Sequence, residues 1–340
     1  MRGRCRLCGG EASIAVEACL DCIRSNKKAL KIVEAKHASS RQKFNLPPKP
    51  PKDKNGIRCG VCVNDCRIGK NKVGYCGVVS NLDGRLVRKE GLLESYHDPL
   101  PTNCVASRWC PERNSRGYNL AVFYEACSFD CLYCQNWHFK EQLSKSNVVS
   151  PQKLAVQANE RVRCVCYFGG DPTPQIFHAL ETGRLIRERR KDVRICFETN
   201  GSFNQKIADK VARMVVDSGG ILKFDLKAWD ERINLALSGS SNKYTLANFA
   251  RLAKDPKIRP CLVASTLLVP NYIDREEIRK LSRFIADCDP SIPWSLLAFH
   301  PHFELWDVGC TTKELALDAI GIAREHGLKR TNLGNQWLLR

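Results

Sequence analysis

From Tyr118 onward, apolar runs rich in β-branched residues alternate with amphipathic helical patterns, and this alternation limits the fold more than any other feature of the chain. The runs cover 119–125, 162–170, 193–200, 220–227, 261–270 and 293–301. Ser150-Pro151 opens the first helix as N-cap and first-turn proline, and Thr173, Asn204, Asp274 and Thr311 stand near the starts of others. The last helix, roughly 312–326, ends at Gly327. Strands alternating with helices must run parallel, joined by right-handed crossovers. Six such units are too few to close an eight-stranded barrel. The expected fold is therefore α/β, an open (β/α)6 partial barrel whose gap admits a large substrate.

In such folds chemistry collects in the loops after the strands, and the motifs follow that rule. The first strand runs into Cys127-Ser-Phe-Asp-Cys131-Leu-Tyr-Cys134, a C-x3-C-x2-C pattern. Three soft ligands so spaced can hold three corners of a cubane iron–sulfur cluster, and no fourth cysteine follows closely. One iron is left open for chemistry. A zinc loop is the alternative. The second strand ends in Gly169-Gly170-Asp171, where glycines allow close backbone approach and a carboxylate can take an ammonium group. The third ends in Glu198-Thr-Asn200, the fourth in Asp225-Leu-Lys227 and the sixth in His300-Pro301. Acids and amides can hold ribose hydroxyls, whereas Lys227 and His300 can neutralise a carboxylate.

Ahead of the barrel lie two further cysteine modules. Cys5-x2-Cys8 and Cys19-x2-Cys22 are paired knuckles suited to one tetrahedral zinc ion in residues 1–25, which are too few to fold without it. A basic helix and a Pro/Lys spacer fill 26–56, with four prolines between Leu46 and Lys52 marking a boundary. Cys59, Cys62, Cys66 and Cys76 make a second module in 57–116, with a hairpin turning at Asp83-Gly84; they suit zinc or another iron–sulfur cluster. Residues 117–340 form the barrel. Cys104 and Cys110 remain unassigned, and Cys196, Cys261, Cys288 and Cys310 read as small buried hydrophobes.

The chain carries 19 cysteines without a signal peptide or a long apolar run, so reduced thiols and metal ligands in a cytoplasmic protein are expected, with no membrane partner. Residues 1–58 hold 14 Lys/Arg against 5 Asp/Glu, half of the net charge of +18. A basic head suggests an anionic partner, RNA or an acidic protein face. A metal-stabilised RNA-binding or adaptor protein on a degenerate barrel is the competing functional class.

The cysteine motif with Tyr133 before its last cysteine resembles the radical S-adenosylmethionine (SAM) superfamily. The stretch from Lys223, KFDLKAWDERINLALSG, is similar to pyruvate formate-lyase activating enzymes, and the Cys59–Cys76 module, the DPLP segment, CQNW and PWSLLAFHPHFEL are similar to the AmmeMemoRadiSam branch. The resemblance implies a [4Fe-4S] cluster on Cys127, Cys131 and Cys134. It implies SAM held through Tyr133, Gly169, Gly170 and Asp171 (amino group), Glu198, Asn200 and Asp225 (ribose), and Lys227 and His300 (carboxylate). It also implies an electron donor such as ferredoxin or flavodoxin, and hydrogen abstraction from a protein or RNA substrate. The chain departs from the simple activases in its knuckle module and in carrying Asp171 where glutamate is usual.

Overall fold

A computed structural model describes residues 3–102, 104–143 and 148–340. Its centre is an eight-stranded sheet: β1 (Leu93–Pro99), β2 (Tyr118–Tyr124), β3 (Val162–Phe168), β4 (Arg194–Thr199), β5 (Leu222–Asp225), β6 (Leu262–Leu268), β7 (Trp294–Ala298) and β8 (Thr331–Gly334). Spatial order equals chain order, and every pair from β2 to β8 is parallel. Only β1 runs antiparallel, Leu93 opposite Tyr124 and Pro99 opposite Tyr118. The six expected runs are β2 to β7; the sheet adds one strand at each edge. β1 escapes the alternation because exposed positions interrupt its burial, and β8 because its four residues are too short to show a period.

The six runs read as continuous apolar stretches because both faces are covered. Helices fill one face, among them α2 (Ile176–Arg189), α3 (Gln205–Ser218), α4 (Glu231–Ser238), α5 (Lys243–Ala253), α6 (Arg275–Cys288) and α7 (Lys313–Glu325). Asn204 and Asp274 cap their helices where the sequence expects, and Thr312, one residue after the expected Thr311, caps the last: they accept from the Ile207, Glu277 and Leu315 amides. Thr311 has a different task, since its hydroxyl accepts from the Phe299 amide and donates to the Leu268 carbonyl, tying the ends of β6 and β7.

The opposite face is concave. One cavity is lined from the loop after β2 through Phe168, Glu198, Asp225, Leu267 and Leu297 to Asn335 beyond β8. In a flat sheet β2 and β8 would stand about 29 Å apart, so the sheet curls. Residues 104–112 cross beneath it: Val105 accepts from Ser295 of β7 at 2.5 Å, Glu112 accepts from Arg194 of β4 at 2.7 Å, and Arg108 reaches Asn332 of β8 at 3.4 Å.

The N-terminal extension is not a free head on a stiff spacer. It rings the loops at the strands' C-terminal ends. Ser13 Oγ donates to Asp307 at 2.7 Å, and Arg24 holds Asp274 through two bonds of 2.8 Å. Helix α1 (Lys27–Gln42) turns His37 and Arg41 inward while Lys27, Lys28 and Lys31 stay exposed. The proline segment folds back, with Leu46 buried and the Pro47 carbonyl accepting from Arg41 at 2.7 Å. The hairpin forms as expected, Val79–Leu82 with Arg85–Arg88.

Candidate metal centre and cofactor cavity

Cys127, Cys131 and Cys134 come together at one end of a cavity of about 210 Å³. Their loop is too short to hold itself, so its neighbours pin it. The amides of Asp130 and Leu132 donate to the carbonyls of Ser238 and Leu237 at the end of α4 (2.8 and 3.0 Å), and the Leu305 amide caps the Leu132 carbonyl at 2.9 Å. Within the loop the Phe129 amide lies 3.3 Å from Cys127 Sγ. Burial pushes all three thiols up, Cys134 to about 12, with the Lys227 ammonium pulling Cys131 and Cys134 back. Buried thiols of this kind become good ligands when a metal displaces their protons.

Asp130, between the first two cysteines, is completely buried and was not singled out by its sequence. It accepts from His37 Nδ1 at 2.9 Å, Arg41 Nη1 at 3.3 Å and Lys140 Nζ at 2.6 Å. Burial alone would raise this carboxyl, but His37, Lys140 and Arg41 hold it well below the carboxylate range. A signal existed: His37 and Arg41 stand four apart, on one face of a helix that otherwise looks solvated.

The strand-end residues meet the cysteines in the same cavity: Gly169, Gly170, Asp171, Glu198, Asn200, Asp225 and Lys227 all line it, and so does Tyr133. The two glycines have φ of +62° and +48°, and a Cβ on Gly170 would stand 2.2 Å from the Tyr124 carbonyl oxygen, so glycine is required there. Asp171 is fully engaged from within. Its oxygens accept from Thr199 Oγ1 (2.7 Å), the amides of Asn200 and Thr173 (3.0 Å each) and Ser128 Oγ (3.4 Å). Burial raises its pKa against these donors. Asn200 Nδ2 donates to Ser128 Oγ at 2.8 Å and lies 3.9 Å from Cys127 Sγ. Lys227 pairs with Asp225 and lies 5.7 Å from the Tyr133 ring centroid. Burial would lower Lys227, but Asp225 and Cys131 hold it well above its ordinary value, so it stays an ammonium.

His300 is not among the lining residues. Its Nδ1 lies 3.0 Å from the Pro301 carbonyl, and its ring faces His302 at 4.9 Å. Gln135, Asn136 and Asn335 line the cavity without having been foreseen. Behind Glu198 lies a second hollow, ringed by Cys104, Cys110, Cys164, Cys166 and Cys196. Lys223, 1% exposed, places Nζ 2.8 Å from Cys166 Sγ, 3.2 Å from Cys104 Sγ and 3.3 Å from Glu198. Cys196 is buried as expected, whereas Cys261, Cys288 and Cys310 are only partly so.

The radical SAM superfamily model matches residues 121–285, the stretch that contains the cysteine loop and the strand-end motifs at Gly169–Asp171, Glu198–Asn200 and Asp225–Lys227. The chain carries a radical SAM domain. An uncharacterized protein of Methanocaldococcus jannaschii is 26% identical over 315 residues, 83% of this chain and 82% of its own length. Pyruvate formate-lyase 1-activating enzyme of Escherichia coli is 22% identical over 197 residues, 56% of this chain and 78% of that enzyme. A crystal structure of Streptococcus suis SuiB aligns over 63% of this chain and 46% of that one, at 14% identity and a TM-score of 0.47.

The domain match covers the cysteine loop alone among the cysteine modules, and the other two modules are distinct in geometry from one another. In the knuckle module all four Sγ atoms of Cys5, Cys8, Cys19 and Cys22 lie within 4.8 Å of one another, Cys8 and Cys19 at 3.6 Å. Among the described residues no other set of three or more cysteine, histidine or carboxylate ligand atoms is so close. Among the described residues, no helix is long and apolar enough to cross a membrane.

Proposed function

We propose that this radical SAM enzyme binds SAM and a [4Fe-4S] cluster in the 210 Å³ cavity and abstracts hydrogen from a macromolecular substrate, as glycyl-radical activases and protein or RNA modifiers do. The single observation that carries this is the lining: three motif cysteines and the polar ends of β3, β4 and β5 face one space. The curled sheet is then the (β/α)6 partial barrel, β2 to β7, extended by β1 and β8 at its edges.

The residues suit the groups. Cys127, Cys131 and Cys134 would hold the cluster: their sulfurs are too widely set for one shared ion, and Lys227 offsets the negative charge that thiolates bring. When bound, the cluster supplies one electron and SAM supplies the 5′-deoxyadenosyl radical. The chain's own residues bind and orient. Lys227, kept charged by Asp225, meets a carboxylate; Glu198 accepts from ribose hydroxyls; Gly169 and Gly170 let main chain approach the methionine end. Asp171 sets the turn that carries them through its four hydrogen bonds. The knuckle module fits one zinc ion, since sulfurs around zinc at 2.3 Å stand about 3.8 Å apart. The adaptor reading loses support from the docked head, which spends its contacts on the barrel rim.

Reconstituted and reduced under anaerobic conditions, the protein is expected to release 5′-deoxyadenosine and methionine from SAM. Cys131→Ala is expected to lose about four iron per chain and all cleavage. Full cleavage by that variant overturns the assignment.

A further inference from the structure

Cys59, Cys62, Cys66 and Cys76 line a single enclosed hollow, walled by Asn64, Arg88 and Pro174. We propose that they hold a second iron–sulfur cluster, not zinc, and that it is the port through which electrons reach the cluster at Cys127, Cys131 and Cys134; the electron path rests on the function proposed above.

Sulfur spacing separates the two metals. Four thiolates around one zinc ion stand about 3.8 Å apart, whereas those on the corners of a cubane stand roughly 6 Å apart. The knuckle module meets the first criterion within this same chain, and the Cys59–Cys76 module does not, although its four thiols face one hollow. Like Cys127, Cys131 and Cys134, it has no three sulfurs all within 4.8 Å of one another. The hollow also offers donors to sulfur: the Tyr75 amide lies 3.5 Å from Cys66 Sγ and Arg88 Nη1 lies 3.6 Å from Cys59 Sγ. Hydrogen bonds and a guanidinium at ligand sulfurs stabilise the reduced, more negative state of a cluster.

The module's position suits a relay. Asn64, two residues from Cys62, donates to the Ser128 carbonyl at 2.5 Å, and Ser128 is the residue after Cys127. Val63 donates to the Ser202 carbonyl at 2.9 Å, and Ser202 Oγ lies 2.8 Å from Ser128 Oγ. Only a few bonded residues separate the two cysteine sets. The outer face keeps a positive surplus: Lys52, Lys54, Arg58, Arg67, Lys70 and Lys72 are exposed, and Asp65, Asp83 and Asp53 pair with Arg58, Lys70 and Lys72. That rim complements an acidic one-electron carrier. The step moves one electron from the reduced carrier to the second cluster and then to the first; no bond forms or breaks at the second cluster, and the carrier is left oxidised by one electron.

The test uses the full chain. The triple variant Cys127→Ala, Cys131→Ala, Cys134→Ala is expected to keep about four iron and four sulfide per chain, with a reduced-state paramagnetic signal that SAM does not alter. The wild type is expected to hold about eight iron and one zinc. Two zinc and four iron in the wild type, with none of the iron left in the triple variant, overturn the proposal; SAM cleavage by that wild type would leave the function proposed above standing. For the relay, Cys62→Ala, Cys76→Ala is compared with the wild type under dithionite and under a reduced ferredoxin. Cleavage is expected to persist with dithionite and to fall at least tenfold with the protein donor. Equal rates with both donors overturn the relay, and should the double variant fail to fold, salt sensitivity of ferredoxin-driven cleavage by Lys70→Glu, Lys72→Glu decides: unchanged rate and unchanged salt dependence sink it.

Discussion

Asp130 shows how one side chain couples the extension to the radical site. Its carboxylate is buried among His37, Arg41 and Lys140, and Arg41 also donates to the Tyr75 carbonyl and stacks 3.5 Å from the Tyr75 ring centroid. A charge in such a position is secured by its partners, and removing it leaves two cations buried without an anion. Asp130→Asn is therefore expected to lower unfolding free energy by about 3–5 kcal/mol, read by denaturant melts at pH 7. The sign with pH follows from the depressed pKa. The carboxylate's contribution is fully present above the unfolded value near 4 and is lost as pH falls through the lower native value. The gap between wild type and variant should accordingly stay constant from pH 7 down to about pH 5 and narrow only at more acid pH; a gap that closes between pH 8 and 6 would overturn this account.

At the scale of elements, the caps and the metal knuckles decide what stands alone. α3 and α6 each carry a side-chain N-cap at the position the sequence marks, α7 carries one a residue later at Thr312, and α3 ends on Gly219 at φ +64°. The knuckle module has little regular structure of its own, two two-residue strands, Gly3–Arg4 with Glu11–Ala12, and a six-residue helix, Leu20–Ser25, so the metal proposed for it is expected to hold it together. Chelating the zinc proposed for it, or substituting Cys8→Ser with Cys19→Ser, is expected to melt residues 3–25 and free Asp307 and Asp274 from Ser13 and Arg24. Hydrogen exchange should then rise in those residues and in 269–276, while the strands β3 to β6 keep their protection. Protection unchanged in 3–25 after full zinc removal would mean that packing on the barrel suffices without metal.

For the whole molecule, the extension and the sheet with its helices make one body across the proline segment. Lys52 and Lys54 are exposed, so trypsin is expected to nick there, yet the two pieces should co-elute on size exclusion because Ser13, Arg24, His37 and Arg41 remain bound to the loops around the sheet. Separation without denaturant would show those contacts to be weak. What the chain determined by itself is local and periodic. Continuous β-branched runs set β2 to β7, since a strand covered on both faces must be apolar throughout. C-x3-C-x2-C and C-x2-C mark candidate ligands because metal geometry depends on short spacing, and the structure gathers the cysteines of each motif at one place. Glycines and acids at strand ends were legible since loops after parallel strands share one side of the sheet. What only the tertiary structure decided is long-range. Asp171 proved an internal hub, His300 faces Pro301 away from the cavity lining, Lys223 settles among thiols from β3 and the 104–110 segment, and a basic helix turns His37 and Arg41 onto a carboxylate 89 or more residues away. Spacing along the chain carries no record of which charges meet across it; the curl of the sheet and the docking of the extension bring them together, and burial then makes those meetings strong.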